Sequence, residues 1–413
     1  MLSLRPEDHA FIEGLIEQMS LTQKVGQILQ TERLVITPEE VRDHHVGSVL
    51  SGGGSCPGDN RPSDWVSMND AYWAASMAEG PGRLPIPILY GVDAVHGHSN
   101  VRGATVFPHN LNLGAINDPD LVRRIGRATA REVLSTGVDW TFAPTLAVAR
   151  DRRWGRPYES CSEDPALVAR LAPAFVEGLQ GDLGDEGIAA CLKHFLGDGG
   201  TSEGIEQGDT RVSEAELRRI HLAPYPPALA AGALTVMASF NSWNGDKCHG
   251  HRYLLTDVLK GELGFEGLVI SDWDGIDYLD DDYSQCVARG LNAGIDLFMV
   301  SENWRTFLKT AEQQVREGVV PESRLDDAVR RILRVKVALG LFTKPRPAQR
   351  PLAKQPVLGC PEHRALAREA VRRSLVLLKN EDALLPLPRS ARVLLAGKSA
   401  NDLGNQCGGF NVE

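Results

Sequence analysis

Short apolar runs rich in β-branched residues alternate with longer amphipathic stretches over most of this chain. The runs that predict strands lie at positions 46–50, 86–90, 138–142, 188–192, 235–240, 268–270 and 295–299. Helical spacing of apolar residues predicts helices at 8–29, 165–180, 214–222, 254–263 and 304–317. Strands this continuously apolar are typical of parallel sheets that helices cover on both faces. The alternation and the number of strands therefore predict an α/β fold of the (β/α)8 TIM-like barrel type.

The 413 residues are enough for one large barrel and a remainder. We expect the barrel to occupy residues 1–343 and the proline-spaced stretch 344–361 to form an extended linker. Residues 362–413 resemble the start of a second α/β sandwich domain. The elements expected there are a helix over 363–373 and strands over 374–380 and 392–397. Such a domain needs more residues, so we expect a missing segment or a separate chain to supply the rest.

The composition excludes two classes of partner. A formal charge of −10, an isoelectric point near 5.6 and the lack of a Lys/Arg-rich block argue against nucleic acid. No run approaches the roughly 20 apolar residues of a membrane span, so a soluble protein without a membrane partner is expected. The opening residues MLSLRPEDHAFIEGL lack the pattern of a signal peptide. A removed signal peptide would leave a similar start, so a periplasmic or secreted location and a cytoplasmic one both stay open.

Polar residues follow four of the predicted strands. They are Asp93, the pair Lys193 and His194, the pair Trp243 and Asn244, and Asp272. A barrel builds its active site from residues at the carboxyl ends of its strands, where these side chains would meet. Loops are polar in any case, but four strands that end in this way predict a site there.

The segment VISDWDGID places Asp272 and Asp274 directly after a buried strand, with Trp273 between them. One interpretation is structural: an aspartate here could cap the next helix or bind loop amides. The other is catalytic, because a glycosidase nucleophile is held rigidly at a strand end beside an aromatic plane on which a sugar ring stacks. Asp272 and Trp273 fit the second interpretation.

The segment CLKHFLGDGGT carries Lys193 and His194 out of a strand into a glycine-rich loop. His194 alone could be a core histidine. A lysine beside it is harder to explain structurally, because a buried ammonium is costly unless an anion or a polyhydroxyl ligand binds it. We expect Lys193 to donate hydrogen bonds to sugar hydroxyls and to favour ionised carboxylates nearby.

Two further segments carry charge. In RDRRWGRPYESCSEDP most charged residues are expected to form solvated ion pairs, and Arg156, between Trp154 and Pro157, is best placed for a bidentate fork. In YGVDAVHGHSN, Asp93, His96 and His98 suggest a metal site. No further ligand cluster accompanies them, and Asp93 could bind two sugar hydroxyls by itself, so we expect no metal and no other cofactor.

Taken together, the segments GVDAVHGHSNVRGATVFPHN, RDRRWGRPYESCSEDP, CLKHFLGDGGT, SWNGDKCHG, VISDWDGID and SLVLLKNEDALLPL resemble glycoside hydrolase family 3, in particular its β-D-glucan exohydrolase and β-glucosidase branch. The resemblance implies a retaining exo-acting enzyme on a β-glucoside or β-glucan oligosaccharide. It implies a nucleophile at Asp272 and one wall of an aglycone clamp at Trp273. The residues it implies for binding the terminal sugar are Asp93, Arg156, Lys193 and His194.

The sequence departs from that branch at two places. Phe240, which we also expect among the substrate-binding residues, stands where close relatives often carry a tyrosine. A hydroxyl near the nucleophile is therefore expected to be lost unless Trp243 or Asn244 replaces it. The acid/base carboxylate and the other aromatic wall lie in the second domain of the branch, past the end of this chain, and are expected to be absent.

Several alternatives stay open. Single-barrel β-N-acetylhexosaminidases carry an acid/base histidine in a K-H-F-P-G-H-G loop, and Leu196, Gly197 and Asp198 here argue against that reading, although Asp198 or Glu206 could still serve as the acid/base. A β-xylosidase or arabinosidase, a catalytically impaired sugar-binding fragment, and one half of a split enzyme are the others. Linkage preference and oligomeric state are not predicted.

Overall fold

The computed structural model describes residues 4–412. The strands are β1 (Leu29–Glu32), β2 (Ser48–Ser51), β3 (Leu89–Val92), β4 (Trp140–Thr141), β5 (Cys191–Phe195), β6 (Asp209–Thr210), β7 (Thr235–Ala238), β8 (Ser242–Trp243), β9 (Asp246–Lys247), β10 (Leu268–Ile270) and β11 (Phe298–Met299). The α-helices are α1 (Pro6–Gln18), α2 (Leu21–Gln27), α3 (Pro38–Asp43), α4 (Pro62–Ser76), α5 (Asn110–Ile116), α6 (Pro119–Ser135), α7 (Pro165–Gln180), α8 (Glu214–Leu217), α9 (Tyr225–Ala230), α10 (Tyr283–Ala293), α11 (Trp304–Arg316), α12 (Glu322–Ala338), α13 (Pro361–Ser374) and α14 (Leu403–Cys407). None of these helices is long and apolar enough to cross a membrane.

The strands form two parallel sheets. The first has the order β11-β1-β2-β3-β4, and the second has the order β10-β7-β5. Isolated parallel bridges connect the sheets along both edges, at Trp140–Ala189 and Thr145–Lys193 on one side and at Ile270–Leu297 on the other. A small third sheet has the order β6-β8-β9. In it, β6 and β8 are parallel, and β8 and β9 are antiparallel. The fold is thus α/β with parallel sheets, as the alternation predicts.

Strand β1 escaped the sequence prediction, and the single helix expected over 8–29 is wrong at its end. Helices α1 and α2 fill most of that range, but Leu29 begins a strand whose four side chains are all buried. Three of the four are polar, so the run lacks an apolar signal. They form long-range hydrogen bonds: Gln30 Nε2 donates to Ser48 Oγ at 2.7 Å, and Thr31 Oγ1 donates to the Ser301 carbonyl at 3.1 Å.

Helix α7 shows why the predicted helix over 165–180 has those limits. The Asp164 side chain accepts the Ala166 N–H at 2.9 Å, and Pro165 occupies the first helical position, where its missing N–H costs nothing. The helix ends at Gly181, whose φ of 48° most residues avoid. One face packs against α6 in the layer outside the sheets.

Residues 344–361, predicted as a linker, lie against the body of the protein. The buried carboxylate of Asp139 binds Lys344 Nζ at 3.0 Å and Arg350 Nη1 at 2.6 Å, and Leu352 is also buried. The segment contains two short 3-10 turns, Pro347–Gln349 and Leu352–Lys354. These contacts fix the path by which the chain reaches α13.

The region after α13 differs from its prediction. The helix expected over 363–373 is confirmed, but the strands expected over 374–380 and 392–397 are wrong for the described residues. A strand needs a hydrogen-bonding neighbour, and these segments have none within residues 4–412. Their apolar side chains face solvent, with Leu378 and Leu394 each 90% exposed.

Candidate active site

Asp272 follows β10 by two residues, and two hydrogen bonds fix it. Its backbone N–H donates to Nε2 of His249 at 2.9 Å. Its Oδ1 accepts the N–H of Trp273 at 2.7 Å, and its Oδ2 lies 3.6 Å from Nε2 of His194. The side chain is 15% exposed, so the carboxylate is held firmly but remains accessible.

Of the two structural roles considered for Asp272, helix capping is wrong, whereas binding of a loop amide is present, because Oδ1 accepts the Trp273 N–H. The next turn, Gly275–Tyr278, begins after Asp274, and no side chain caps it. Asp274 instead anchors the loop to the end of β11, since Oδ1 accepts the Ser301 N–H at 2.7 Å and Oδ2 accepts the Ser301 hydroxyl. The two carboxylates of the motif therefore differ in role: Asp274 braces the loop and Asp272 faces the site.

Lys193 and Asp93 come from different strands and form an ion pair. Lys193 lies in β5 and Asp93 directly follows β3, and the Nζ–Oδ1 distance is 3.0 Å. Burial by itself lowers the pKa of Lys193, but the charges of Asp93 and Glu159 outweigh burial and raise it above the usual value. The ammonium therefore stays charged in the interior.

His194 follows Lys193 in β5, and its side chain contacts Arg156. Its Nδ1 lies 2.8 Å from Oδ2 of Asp198, and Nη2 of Arg156 lies 3.2 Å from its Nε2. Because a guanidinium can only donate, Nε2 must accept, and the ring proton sits on Nδ1, where it is donated to Asp198. Asp198, considered as a substitute acid/base, is thereby committed to orienting His194.

Glu159 is a site residue that the sequence reasoning missed. It is fully buried and accepts a fork from Arg156, with Nε–Oε1 at 2.5 Å and Nη2–Oε2 at 3.1 Å. Burial would raise the pKa of Glu159, but the hydrogen bonds and charge of Arg156 outweigh it and lower that pKa. The spacing of three residues between Arg156 and Glu159 was the signal that could have found it.

Glu206, the other candidate acid/base, lies at the rim. Its Oε2 accepts the indole N–H of Trp154 at 2.6 Å, and its Oε1 lies 3.4 Å from Nη1 of Arg156. The side chain is 42% exposed. Glu206 therefore contacts Trp154 and Arg156, and it forms no hydrogen bond with Asp272 among the described residues.

Two aromatic rings flank the site. Trp273 is 40% exposed, and its indole packs against Gly52, where a Cβ would lie 2.8 Å from Cζ3. The ring centroid of Phe410 lies 5.4 Å from Lys193 Nζ, because residues 408–412 return to the body of the protein, where Val412 N–H donates to the Ser99 carbonyl. Phe410 is thus an aromatic neighbour of Lys193 that the sequence reasoning did not predict. The adjacent glycines before Phe410 were the only sequence hint.

Phe240 packs beside His249 and Tyr278. Its ring centroid is 5.5 Å from that of His249 and 5.9 Å from that of Tyr278. Trp243 and Asn244 do not replace the missing hydroxyl, because both side chains donate to the Val212 carbonyl at 3.0 Å.

The two histidines of the H-x-H segment, His96 and His98, bind different groups. Nδ1 of His96 lies 2.8 Å from the Phe107 carbonyl, whereas Nε2 of His98 lies 2.8 Å from the Thr136 hydroxyl. Within residues 4–412, no group of three or more His, Cys, Asp or Glu side chains is arranged to hold a metal ion. Asp93 pairs with Lys193 instead.

The contacts of Asp93, Lys193, His194, Arg156 and Asp272 are thus contiguous. The buried ammonium of Lys193, the partly buried guanidinium of Arg156, an accessible carboxylate and a neutral imidazole lie together beside an exposed indole. Alternating donors and acceptors next to an aromatic face suit a ring-shaped ligand with several hydroxyl groups.

Comparison with known proteins gives consistent results. The family model described as the glycosyl hydrolase family 3 N terminal domain matches residues 20–335. A lysosomal beta glucosidase of Dictyostelium discoideum is 32% identical over 97% of this chain and 52% of its own length. The solved exo-1,3/1,4-beta-glucanase of a Pseudoalteromonas species is 49% identical, with a TM-score of 0.95 over 99% of this chain and 52% of that chain.

A solved beta-glucosidase from Listeria innocua in complex with glucose is 32% identical, with a TM-score of 0.84 over 98% of this chain and 56% of that chain. The chain thus spans about half the length of these relatives. The resemblance inferred from the six motifs is confirmed. The chain belongs to glycosyl hydrolase family 3.

Proposed function

We propose that this chain is the nucleophile-bearing part of a retaining, exo-acting β-glucosidase or β-glucan glucohydrolase. Asp272 attacks the anomeric carbon of a terminal non-reducing β-D-glucosyl residue, and water later releases the sugar from the covalent intermediate. The observation that carries the proposal is the position of the Asp272 carboxylate, 3.6 Å from His194 and at the end of a contiguous set of hydroxyl-binding groups.

The residues around Asp272 bind different parts of the substrate. Lys193 and Arg156 donate hydrogen bonds to sugar hydroxyls, and Asp93 accepts from them while pairing with Lys193. Trp273 offers its exposed face to the aglycone or to the next sugar. The Listeria innocua relative is solved with glucose and with laminaribiose, which supports a glucose-sized primary site.

The finer architecture belongs to the same proposal. We infer that β1, β2, β3, β4, β5, β7, β10 and β11 form one closed (β/α)8 barrel over residues 1–343. The parallel bridges that connect the two sheets along both edges support this closure. In such a barrel the carboxyl ends of the strands open onto one face, which explains why Asp93, Lys193 and Asp272 meet.

The domain limits also remain a proposal. Residues 344–361 act as the linker, and 362–413 begin a sandwich domain whose remaining strands come from a further segment or a separate chain. That part would supply the acid/base carboxylate. The exposed leucines at 378 and 394 and the greater length of the relatives support this division.

Covalent labelling tests the central assignment. Activated substrates with good leaving groups need little proton donation, so the chain alone should still complete the first step with them. Incubation with 2-deoxy-2-fluoro-β-D-glucosyl fluoride should add one fluoroglucosyl group to the peptide that contains Asp272. The Asp272→Asn variant should stay unlabelled while binding glucose in calorimetry. Absence of label on folded wild-type protein would refute the assignment.

The same preparation separates the alternatives. Aryl β-glucoside should be cleaved faster than aryl β-xyloside or aryl N-acetyl-β-glucosaminide, and the reverse order would favour the xylosidase or hexosaminidase reading. Binding of glucose or laminaribiose with neither turnover nor label would identify a sugar-binding fragment. Activity regained on mixing with a second chain would identify a split enzyme.

A further inference from the structure

His249 contacts residues 271–275, the loop after β10, which we call the nucleophile loop. It lies in the 3-10 turn Cys248–Gly250, which follows the β8–β9 hairpin, and its side chain is fully buried. It therefore touches no sugar in the site. Its nearest functional neighbour is the backbone of Asp272, on the loop after β10.

The contact requires a particular state of the ring. The Asp272 N–H donates to Nε2 at 2.9 Å, so Nε2 must carry no proton and the neutral ring must hold its proton on the buried Nδ1. Burial lowers the pKa of His249 to about 4, against the attraction of Asp272 and together with the repulsion of Lys247. The ring is thus an acceptor at neutral pH.

The nucleophile loop wraps around this ring. Gly275 N–H donates to the Asp272 carbonyl at 3.0 Å and closes the turn. A Cβ on Gly275 would lie 2.4 Å from Nε2 and 2.5 Å from Cε1 of His249, closer than any side chain tolerates. Only glycine lets the turn approach so closely, and the ring fills the space inside it.

The outer side of the ring is also supported. Phe240 packs against it with centroids 5.5 Å apart, and the Phe240 carbonyl accepts a hydrogen bond from Lys247 Nζ at 2.9 Å. His249 is therefore held by the β7–β9 region and in turn holds the β10 loop. It links two elements whose relative position sets the direction of the Asp272 side chain.

We propose that His249 is a positioning residue, which fixes the Asp272 peptide through Nε2 and thereby aims the carboxylate at the anomeric carbon. This inference rests on the proposed role of Asp272 as nucleophile. A displacement of about 1 Å at a reacting group can slow a reaction roughly 100-fold without weakening substrate binding. Loss of the acceptor should therefore reduce the rate of bond formation and leave sugar affinity unchanged.

Two variants of similar size separate the acceptor from simple packing. His249→Gln can present Oε1 near the position of Nε2, whereas His249→Leu fills the space without an acceptor. His251→Leu is the matched control, because His251 stacks on Trp243 and has no contact with Asp272. The readout on the full chain is labelling by 2-deoxy-2-fluoro-β-D-glucosyl fluoride, in which an Asp272 oxygen bonds to C1 as fluoride leaves with its electron pair.

We expect His249→Leu to label about 100-fold more slowly than wild type, with His249→Gln recovering at least a tenth of the wild-type rate and His251→Leu unchanged. The Kd of glucose, measured by calorimetry, should stay within about twofold in all three. A leucine variant that labels at the wild-type rate would overturn the proposal. So would glutamine and leucine variants that lose rate and affinity equally.

A spectroscopic readout keeps this inference separate from the proposed function. In protein labelled with ¹⁵N-histidine, the signal lost in His249→Gln should show a ring protonated only at Nδ1 at pH 7. A ring protonated at Nε2 would overturn the positioning role. If wild-type protein takes no label, the proposed function fails, and a crystal structure of His249→Leu then decides: displacement of residues 272–275 supports the positioning contact, and an unmoved loop refutes it.

Discussion

Nζ of Lys193 lies 3.0 Å from Oδ1 of Asp93, and the lysine side chain is only 3% exposed. The pair joins β3 to β5 across the mouth of the site. Each partner keeps hydrogen-bonding capacity that the ion pair does not use, and in the proposed function this capacity binds sugar hydroxyl groups.

Replacing one member of that pair should cost stability. Lys193→Met leaves the Asp93 and Glu159 carboxylates without their shared cation, and we expect the free energy of unfolding to fall by about 3 kcal/mol. Urea unfolding measures it. The double variant Asp93→Asn/Lys193→Met should recover part of the loss, because one unpaired charge has also been removed. Equal stability of the single variant and wild type would contradict the prediction.

The fork between Arg156 and Glu159 makes a second prediction. Glu159→Gln keeps the shape of the side chain but turns amide protons toward a guanidinium, so we expect a loss of about 3 kcal/mol and weaker glucose binding. Asp151→Asn, which breaks the exposed pair of Asp151 with Arg153 in the same loop, is the control. It should leave both quantities unchanged, since exposed pairs contribute little.

Trp273 should distinguish a disaccharide from a monosaccharide. Because the proposed function assigns its exposed indole to the aglycone or the next sugar, Trp273→Ala is expected to raise the Kd of laminaribiose about tenfold, which corresponds to roughly 1.4 kcal/mol. The Kd of glucose should change by less than about threefold. Calorimetry with the two sugars checks the difference, and equal losses for both would place the indole elsewhere in the site.

Gly275→Ala tests the tight turn around His249 by steric means. The added methyl group would lie 2.4 Å from His249 Nε2, so the loop or the ring must move. We expect a loss of about 1–3 kcal/mol, the usual cost of overpacking, and at least tenfold slower labelling of Asp272. Gly53→Ala, where a Cβ meets nothing within 4 Å, is the control. Wild-type labelling by Gly275→Ala would show that the turn tolerates the shift.

Acid should destabilise the protein through its buried neutral histidines. Burial lowers the pKa of His98 to about 4 from 6.5. Between those values the unfolded chain binds the extra proton, so the stabilisation is complete above pH 6.5 and is lost as pH falls toward 4. The loss is about 3 kcal/mol for this residue. Burial also lowers the pKa values of His109, His221 and His249 to about 4.

Urea unfolding at several pH values between 7 and 4.5 measures this dependence. His98→Asn removes one titrating group, so its unfolding free energy should fall less steeply with acid than that of wild type. Parallel curves for the two proteins would show that His98 is protonated as readily in the folded state as in the unfolded one.

Local patterns predicted the elements whose signal is local. The apolar run at 268–270 and the capped, amphipathic stretch at 165–180 appear within their predicted limits. Strand β1 was not predicted, because three of its four buried side chains are polar and form hydrogen bonds with residues far away in sequence. Apolar periodicity cannot detect a strand of that kind.

The site divides in the same way. The position after a predicted strand was enough to select Asp93, Lys193, His194 and Asp272, which the structure brings together, although Lys193 and His194 lie inside β5 itself. Glu159 and His249 act through other side chains or through backbone groups, and Phe410 arrives from the end of the chain. Those roles depend on tertiary contacts, which a pattern along the chain does not contain.

The extended leucine-rich stretches after α13 have a practical consequence. Leu378 and Leu394 are each 90% exposed, on segments whose backbone groups are unpaired within residues 4–412. Exposed apolar segments with unpaired backbone groups readily pair with the same segments on neighbouring molecules. Preparations of the 413-residue polypeptide should therefore grow turbid as they are concentrated or warmed. Covering these leucines with a binding partner, or replacing them with polar residues, should keep the solution clear.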